Sequence, residues 1–136
     1  MNSKLFPLAG ILLLALLLLG CTSTGQTSLI TAEKQVATIK AIDSEGKEIV
    51  NRTISIEKGK NALEAFRQVA GVEAKTYVGM GSLVTSINGI TPDSEHYWGL
   101  YINGEFADKS IDAYTIDKDI TIEMKMEKID FSKMGG

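Results

Sequence analysis

Two tyrosines around one glycine are the strongest candidate for binding chemistry in this sequence. Tyr97 and Tyr101 stand four residues apart, with Gly99 midway between them. If the segment is a strand, the two tyrosines share one face and Trp98 points to the other. A glycine between two rings exposes backbone, as a flat ligand or a close chain crossing requires. We expect Tyr97, Gly99 and Tyr101 to line a ligand surface and Trp98 to lie in the core; a plainly structural role for the three is the alternative.

The glycine-rich stretch after the predicted helix is a second candidate. It contains Tyr77 and Met80, and a methionine side chain adapts its shape to an apolar ligand. A loop that simply needs Gly79 and Gly81 for its conformation has the same pattern. We include Tyr77 and Met80 in the predicted ligand-binding set, with that structural alternative open.

His96 is the only histidine, so a site with several histidine ligands is excluded. It follows Asp93, Ser94 and Glu95 in one short stretch. Neighbours in one loop seldom converge as nucleophile, base and orienting group, which normally come from separate elements. We therefore predict a solvated loop, with no metal, no cofactor and no catalytic residue. A glycosylation sequon begins at Asn51, but it lies in a predicted strand.

Cys21, the only cysteine, has the setting of a lipid attachment site. Lys4 gives a short positive start, a leucine-rich apolar run follows, and Leu18-Leu19-Gly20-Cys21 closes it. Lipidation needs an apolar segment for export, a small residue for the signal peptidase and a thiol for the lipid. We predict a lipoprotein signal peptide over residues 1–20, with Cys21 as the acylated anchor. A cleaved signal with an incidental cysteine, or an uncleaved anchor, is the alternative.

The chain from Cys21 onward has the size and charge of one exported domain. Lys4 leaves with the signal, so the 14 basic residues fall to 13 against 17 acidic ones, a formal net charge of −4. No basic block remains, which argues against a nucleic-acid partner. We expect a monomer on the cell membrane that faces the outside or the periplasm.

Several elements must position these residues. Residues 21–32 carry the lipidated cysteine and a small, polar stretch that predicts a flexible tether. Alternation over 37–41 and 52–57, with turn residues between, predicts a β-hairpin. Asn61 and Glu64 fit a capping box that opens a helix, and Gly71 fits a left-handed stop.

The second half of the sequence returns to strands. Alternation over 83–87, 96–102 and 120–127 predicts three strands, and Asn103-Gly104 predicts a tight hairpin with a short return strand. The order is β-β-α-β-β-β-β, an α+β fold whose single helix packs on one face of a sheet. Residues 129–136 have little pattern and predict a frayed tail.

Four segments resemble the transcobalamin-like C-terminal domain family. They are 58–65, 84–89, 97–104 with Ala107, and 114–120. The resemblance covers about residues 34–127 and implies a β-grasp-like mixed sheet for a domain at 33–128. In cobalamin transporters such a domain covers one face of the corrinoid beside a large helical domain, for which this sequence shows no counterpart. The resemblance therefore implies a ligand-binding fold without deciding the ligand.

The sequence leads to one function with one rival. We expect a membrane-anchored surface lipoprotein whose non-enzymatic domain binds a small ligand, with a cobalamin-like molecule as the first option. The rival is a structural or protein-interaction module of a cell-surface assembly or transporter, with a surface protein as its partner.

Overall fold

The computed structural model describes Gly25 and residues 29–133 of the chain. One compact unit begins at Ala32. The predicted signal peptide, Cys21 and seven of the twelve residues 21–32 lie outside the described residues, so the signal, the anchor and the tether stay predictions. None of the helices in the described part of the chain is long and apolar enough to cross a membrane.

The first two strands form an antiparallel hairpin, as predicted. β1 extends over Lys34–Ile42 and β2 over Glu48–Glu57. Asp43 closes the turn, since its carboxylate accepts the backbone N–H groups of Glu45 and Lys47, both at 2.9 Å. One face of β1 is buried, which confirms the period-two pattern; its residues are Ala37, Ile39 and Ala41.

Five strands form one mixed sheet. β5 (His96–Ile102), β6 (Glu105–Phe106) and β7 (Ile120–Lys128) join the hairpin in the order β2-β1-β7-β5-β6. β1 and β7 are parallel, and the other neighbours are antiparallel. Asn103 and Gly104 connect β5 to β6 with φ values of 51° and 84°. Positive φ at both positions is what the Asn-Gly signal predicts for a two-residue hairpin loop.

The described residues contain one α-helix, α1, over Ala62–Arg67. The capping box is confirmed: the Glu64 N–H donates to the Asn61 side chain and the Asn61 N–H donates to the Glu64 carboxylate, each at 2.9 Å. The prediction that Gly71 ends the helix is wrong, since α1 is shorter and Gly71 does not have a positive φ. The Gly71 N–H instead donates to the side chain of Asn88 at 2.9 Å, which ties the helix exit to a later turn.

A strand that the sequence pattern did not predict follows the helix. β3 (Val72–Tyr77) pairs with β4 (Gly81–Ile87) as a separate two-stranded sheet. β3 is mostly exposed and carries Glu73 and Lys75, so it lacks the clear apolar alternation that would identify it. The fold is therefore mostly sheet, with β3 and β4 outside the five-stranded sheet rather than part of it.

One buried cluster joins the helix to both sheets. Phe66 of α1 is fully buried, and Ile122 and Met124 of β7 face the same cluster, as the alternation in β7 predicted. Val84 and Ile87 extend it to the two-stranded sheet. Because the helix, β7 and β4 share one core, the position of the β3–β4 hairpin is coupled to the main sheet.

Candidate ligand-binding site

Trp98 of β5 is a core residue, as the strand alternation predicted. Its side chain is 4% exposed. In the register with β7, Trp98 stands opposite Met126, while Tyr97 and Tyr101 stand opposite Glu127 and Glu123. The two tyrosines thus share the opposite face of the sheet.

The carboxylate of Glu127 bridges the two tyrosines. The hydroxyl of Tyr97 donates to Glu127 Oε2 at 2.9 Å, and the hydroxyl of Tyr101 donates to Oε1. Gly99 is buried, and a Cβ placed on it would meet Glu127 Oε2 at 3.3 Å. The carboxylate of Glu127 thus lies beside this glycine on the face of the two tyrosines, and the role of Gly99 toward a ligand stays a prediction.

This contact changes the titration of both phenols. The hydrogen bond to Glu127 is the largest cause that raises the pKa of Tyr101 to about 12, and burial adds to it. Burial is the main cause that raises the pKa of Tyr97, followed by its bond to Glu127. A phenol that donates to a carboxylate resists deprotonation, since two negative charges would then face each other.

Removing the charge of Glu127 should lower the pKa of Tyr101. In Glu127→Gln we expect the pKa of Tyr101 to move from about 12 toward the ordinary 10.0. Phenolate absorbance measures the ionisation, and Tyr101→Phe assigns it to this residue. Since the folded-state pKa is the higher one, the bond stabilises the fold fully below about pH 10. This contribution is lost as the pH rises toward 12. Glu45→Gln, in the β1–β2 turn, is the control; an unchanged midpoint in Glu127→Gln would contradict the assignment.

Tyr101 has further neighbours on its face of the sheet. Its ring meets that of Phe106 edge-on, with centroids 5.5 Å apart. Lys125 Nζ lies 4.5 Å from the Tyr101 centroid and 3.1 Å from a carboxylate oxygen of Glu123. Tyr101 is therefore held from several sides.

A cleft of about 200 Å³ opens between β4 and β5. Tyr97 and Gly99 are among its lining residues, whereas Tyr101 is not. Most other lining side chains are apolar, and Lys109 and Ser110 come from the segment after β6. The lining residues from the strands and that segment include Leu83, Val84, Trp98, Leu100, Phe106, Ile111 and Met124.

One lining residue of the cleft has a buried donor without an acceptor. Trp98 Nε1 is buried and has no hydrogen-bond partner among the described residues. An indole nitrogen can only donate, and leaving such a group unpaired costs about 1–3 kcal/mol. A ligand atom that accepts this bond would recover that cost.

A second hollow, of about 330 Å³, adjoins the cleft. Tyr77 and Met80 line it, so the second predicted pair is brought together here. It shares Ser82, Leu83 and Ser110 with the cleft. Four of the five predicted ligand-binding residues thus line two adjoining hollows, and Tyr101 lines neither.

Asp112 holds the wall between the two hollows. Its carboxylate accepts the backbone N–H of Ser82 at 3.0 Å, the Ser82 hydroxyl at 2.9 Å and the Ser110 hydroxyl at 2.6 Å. The Ser110 bond is the largest cause that lowers the pKa of Asp112 to about 2, with the Ser82 N–H next. Asp112 is therefore ionised at neutral pH and fastens β4 to the segment after β6.

His96 forms a local pair. Its Nδ1 lies 2.7 Å from a carboxylate oxygen of Asp93, and this bond is the largest cause that lowers the pKa of Asp93. Within the described ranges, no three His, Cys, Asp or Glu side chains converge as metal ligands.

One known family matches the greater part of this domain. The model of a family described as a domain of unknown function, DUF4430, matches residues 59–128, half of the chain. The chain belongs to the DUF4430 family. No curated protein matches the DUF4430 chain.

Seventeen chains of solved structures also match. Haptocorrin in complex with Cbi is similar at a TM-score of 0.59 and 14% identity, over 72% of the DUF4430 chain and 26% of the haptocorrin chain. A Ruminococcus gnavus protein, whose description proposes metal binding, is similar at a TM-score of 0.55 and 16% identity. This match covers 71% of the DUF4430 chain and 99% of the Ruminococcus gnavus chain. The DUF4430 chain thus spans about a quarter of haptocorrin. At these identities the similarity shows the fold alone, and it agrees with the transcobalamin-like resemblance of the sequence.

Sequence reasoning missed four polar residues of the DUF4430 site. Ser82, Lys109, Ser110 and Asp112 line the hollows or fasten their wall, but they belong to two segments almost 30 residues apart. Neither segment has a chemical motif of its own. The spacing of Ser110 and Asp112 is typical of a local turn, so it gave no sign that these residues bond to β4.

Proposed function

We propose that the DUF4430 domain is a non-catalytic module that binds a small ligand in the cleft between β4 and β5. The observation that carries the proposal is the mostly apolar cleft, whose lining includes Trp98, a residue with a buried N–H that lacks an acceptor among the described residues. A mostly apolar hollow with a few polar groups is the usual form of a small-molecule site. Similarity to the fold of haptocorrin, solved in complex with Cbi, supports a binding role.

The size of the cleft limits what can be enclosed. Pockets that enclose a drug-sized ligand measure about 300–1,000 Å³, whereas the cleft measures about 200 Å³. A cobalamin-like molecule could therefore place only one substituent in it and would lie mainly across the rim and the hollow at Tyr77 and Met80. We propose this edge-on contact for a large ligand and full enclosure for a compact one.

Native mass spectrometry of the full chain from its own host tests this function. We expect a small molecule to accompany the wild type and to be lost in Leu83→Asp, since Leu83 is half-exposed and lines both hollows. Leu29→Asp, the same change at an exposed residue that lines neither hollow, is the matched control. The same ligand on Leu83→Asp as on the wild type would place binding elsewhere. No small molecule on any variant would contradict the function.

We further propose that the fold is β-grasp-like. The supporting features are the β1–β2 hairpin, the helix that shares its core, and the parallel pair of β1 and β7 in the middle of the mixed sheet. In this arrangement the β3–β4 hairpin is an addition that forms one wall of the cleft.

The lipoprotein anchor is part of the proposal and rests on the sequence up to Cys21. In Cys21→Ala we expect the protein to leave the membrane fraction or to stay unprocessed, because one cysteine carries the lipid and each buried methylene contributes roughly 0.8 kcal/mol to anchoring. Fractionation with intact-mass analysis measures this, and Thr22→Ala is the control. A processed Cys21→Ala protein that remains in the membrane fraction would refute the anchor.

A protein-interaction module is the second candidate, and the β3–β4 turn favours it. Val78 is fully exposed there and Met80 is 78% exposed. Contiguous exposed apolar surface marks contact sites, and these two side chains belong to one turn. A protein complex that survives Leu83→Asp but is lost in Val78→Asp would support this candidate over the ligand site.

A further inference from the structure

Two lining residues of the cleft carry a polar group that favours an anion. The Trp98 N–H is buried and has no acceptor among the described residues, and apolar residues of β4, β5 and β7 line the cleft with Trp98. Lys109 lines the same cleft with a cationic side chain. Its Nζ lies 5.8 Å from the centroid of the Tyr114 ring, and within the described part of the chain it forms no ion pair.

The acidic groups near Lys109 are already engaged. Asp108 accepts the Tyr114 hydroxyl at 2.7 Å. Asp112 accepts three bonds from Ser82 and Ser110. The lining residues of the cleft therefore include one with an unpaired neutral donor and one with a cation, and none of them carries a carboxylate.

We infer that the cleft binds a compact apolar carboxylate. A shift of the lining side chains admits one carboxylate oxygen to the Trp98 N–H, which donates to it, Lys109 balances the charge, and the hydrocarbon part packs on Leu83, Leu100 and Met124. This inference rests on the proposed small-ligand function and names its chemical class. Hydrogen bonds to an ionised acceptor are shorter and stronger than neutral ones, so the anion is favoured over a neutral molecule of the same shape.

Trp98 is the only tryptophan in the chain, so its fluorescence reports on the cleft directly. The probes are cyclohexanecarboxylate and its neutral amide, which have nearly the same shape. The experiment uses the full chain in detergent. We expect the carboxylate to shift the Trp98 emission in a saturable way. The amide should need a concentration about tenfold higher to reach half-saturation. The indole N–H resonance should move downfield with the carboxylate.

Two variants locate the charge effect. Lys109→Gln should lose most of the preference for the carboxylate over the amide, whereas Lys118→Gln, at an exposed position outside the lining, should keep the wild-type preference. Equal binding of both probes by the wild type would overturn the carboxylate class but leave the small-ligand function standing. No response of Trp98 to either probe, or an unchanged preference in Lys109→Gln, would also overturn the inference. Co-purified ligand in native mass spectrometry decides the proposed function separately.

Discussion

Phe66→Ala is expected to destabilise the domain by about 3–5 kcal/mol, the range for removing a buried phenylalanine ring. Phe66 is fully buried in the cluster that joins α1 to β7 and β4. The free energy of unfolding of a native domain is roughly 5–15 kcal/mol, so the variant loses a large share of it. Urea denaturation of both proteins, followed by circular dichroism, gives the difference.

Phe131→Ala is the matched control for this prediction. It makes the same chemical change at a residue that is 61% exposed, so its midpoint should stay close to that of the wild type. If both variants unfold at the same urea concentration, the core assigned to α1 is wrong.

Gly81→Ala is expected to lower stability by about 2–5 kcal/mol. Gly81 has a φ of +83°, and a Cβ there would lie 2.1 Å from the Ser110 hydroxyl oxygen and 2.6 Å from its Cβ. Left-handed backbone costs a residue with a side chain roughly 1–2 kcal/mol, and overpacking adds about 1–3 kcal/mol. The change also displaces Ser110 from Asp112, so the wall of the cleft should loosen.

Gly79→Ala separates the two costs. Gly79 lies in the same turn with a φ of +77°, but a Cβ there meets nothing within 4 Å. It should therefore show the backbone cost alone, about 1–2 kcal/mol. Thermal melts of the two variants measure the difference, and equal melting temperatures would show that Ser110 moves aside without loss.

Local patterns in the sequence were enough to identify several elements. The alternation in β1 and β7, the capping box of Asn61 and Glu64, and the Asn103-Gly104 turn are each explained by neighbours within a few residues. The place of Trp98 in the core followed from strand alternation in the same way. The lipid anchor at Cys21 is likewise a prediction from local sequence, and it lies outside the described residues.

Long-range contacts decided what the local patterns could not. β3 is a strand because β4 pairs with it, although its own residues are mostly polar and exposed. The neighbour of Gly99 is the carboxylate of Glu127, from a strand almost 30 residues later, which a Cβ on Gly99 would meet at 3.3 Å.

The cleft itself is a product of tertiary structure. Trp98, Lys109 and the Asp112 network come from separate segments that only the packed sheets bring together. The sequence by itself determined the alternation of most of the strands and the choice of candidate binding residues, since these depend on local spacing. Which of those residues share a hollow was decided by the fold, because strand pairing and side-chain packing act between residues far apart in the chain.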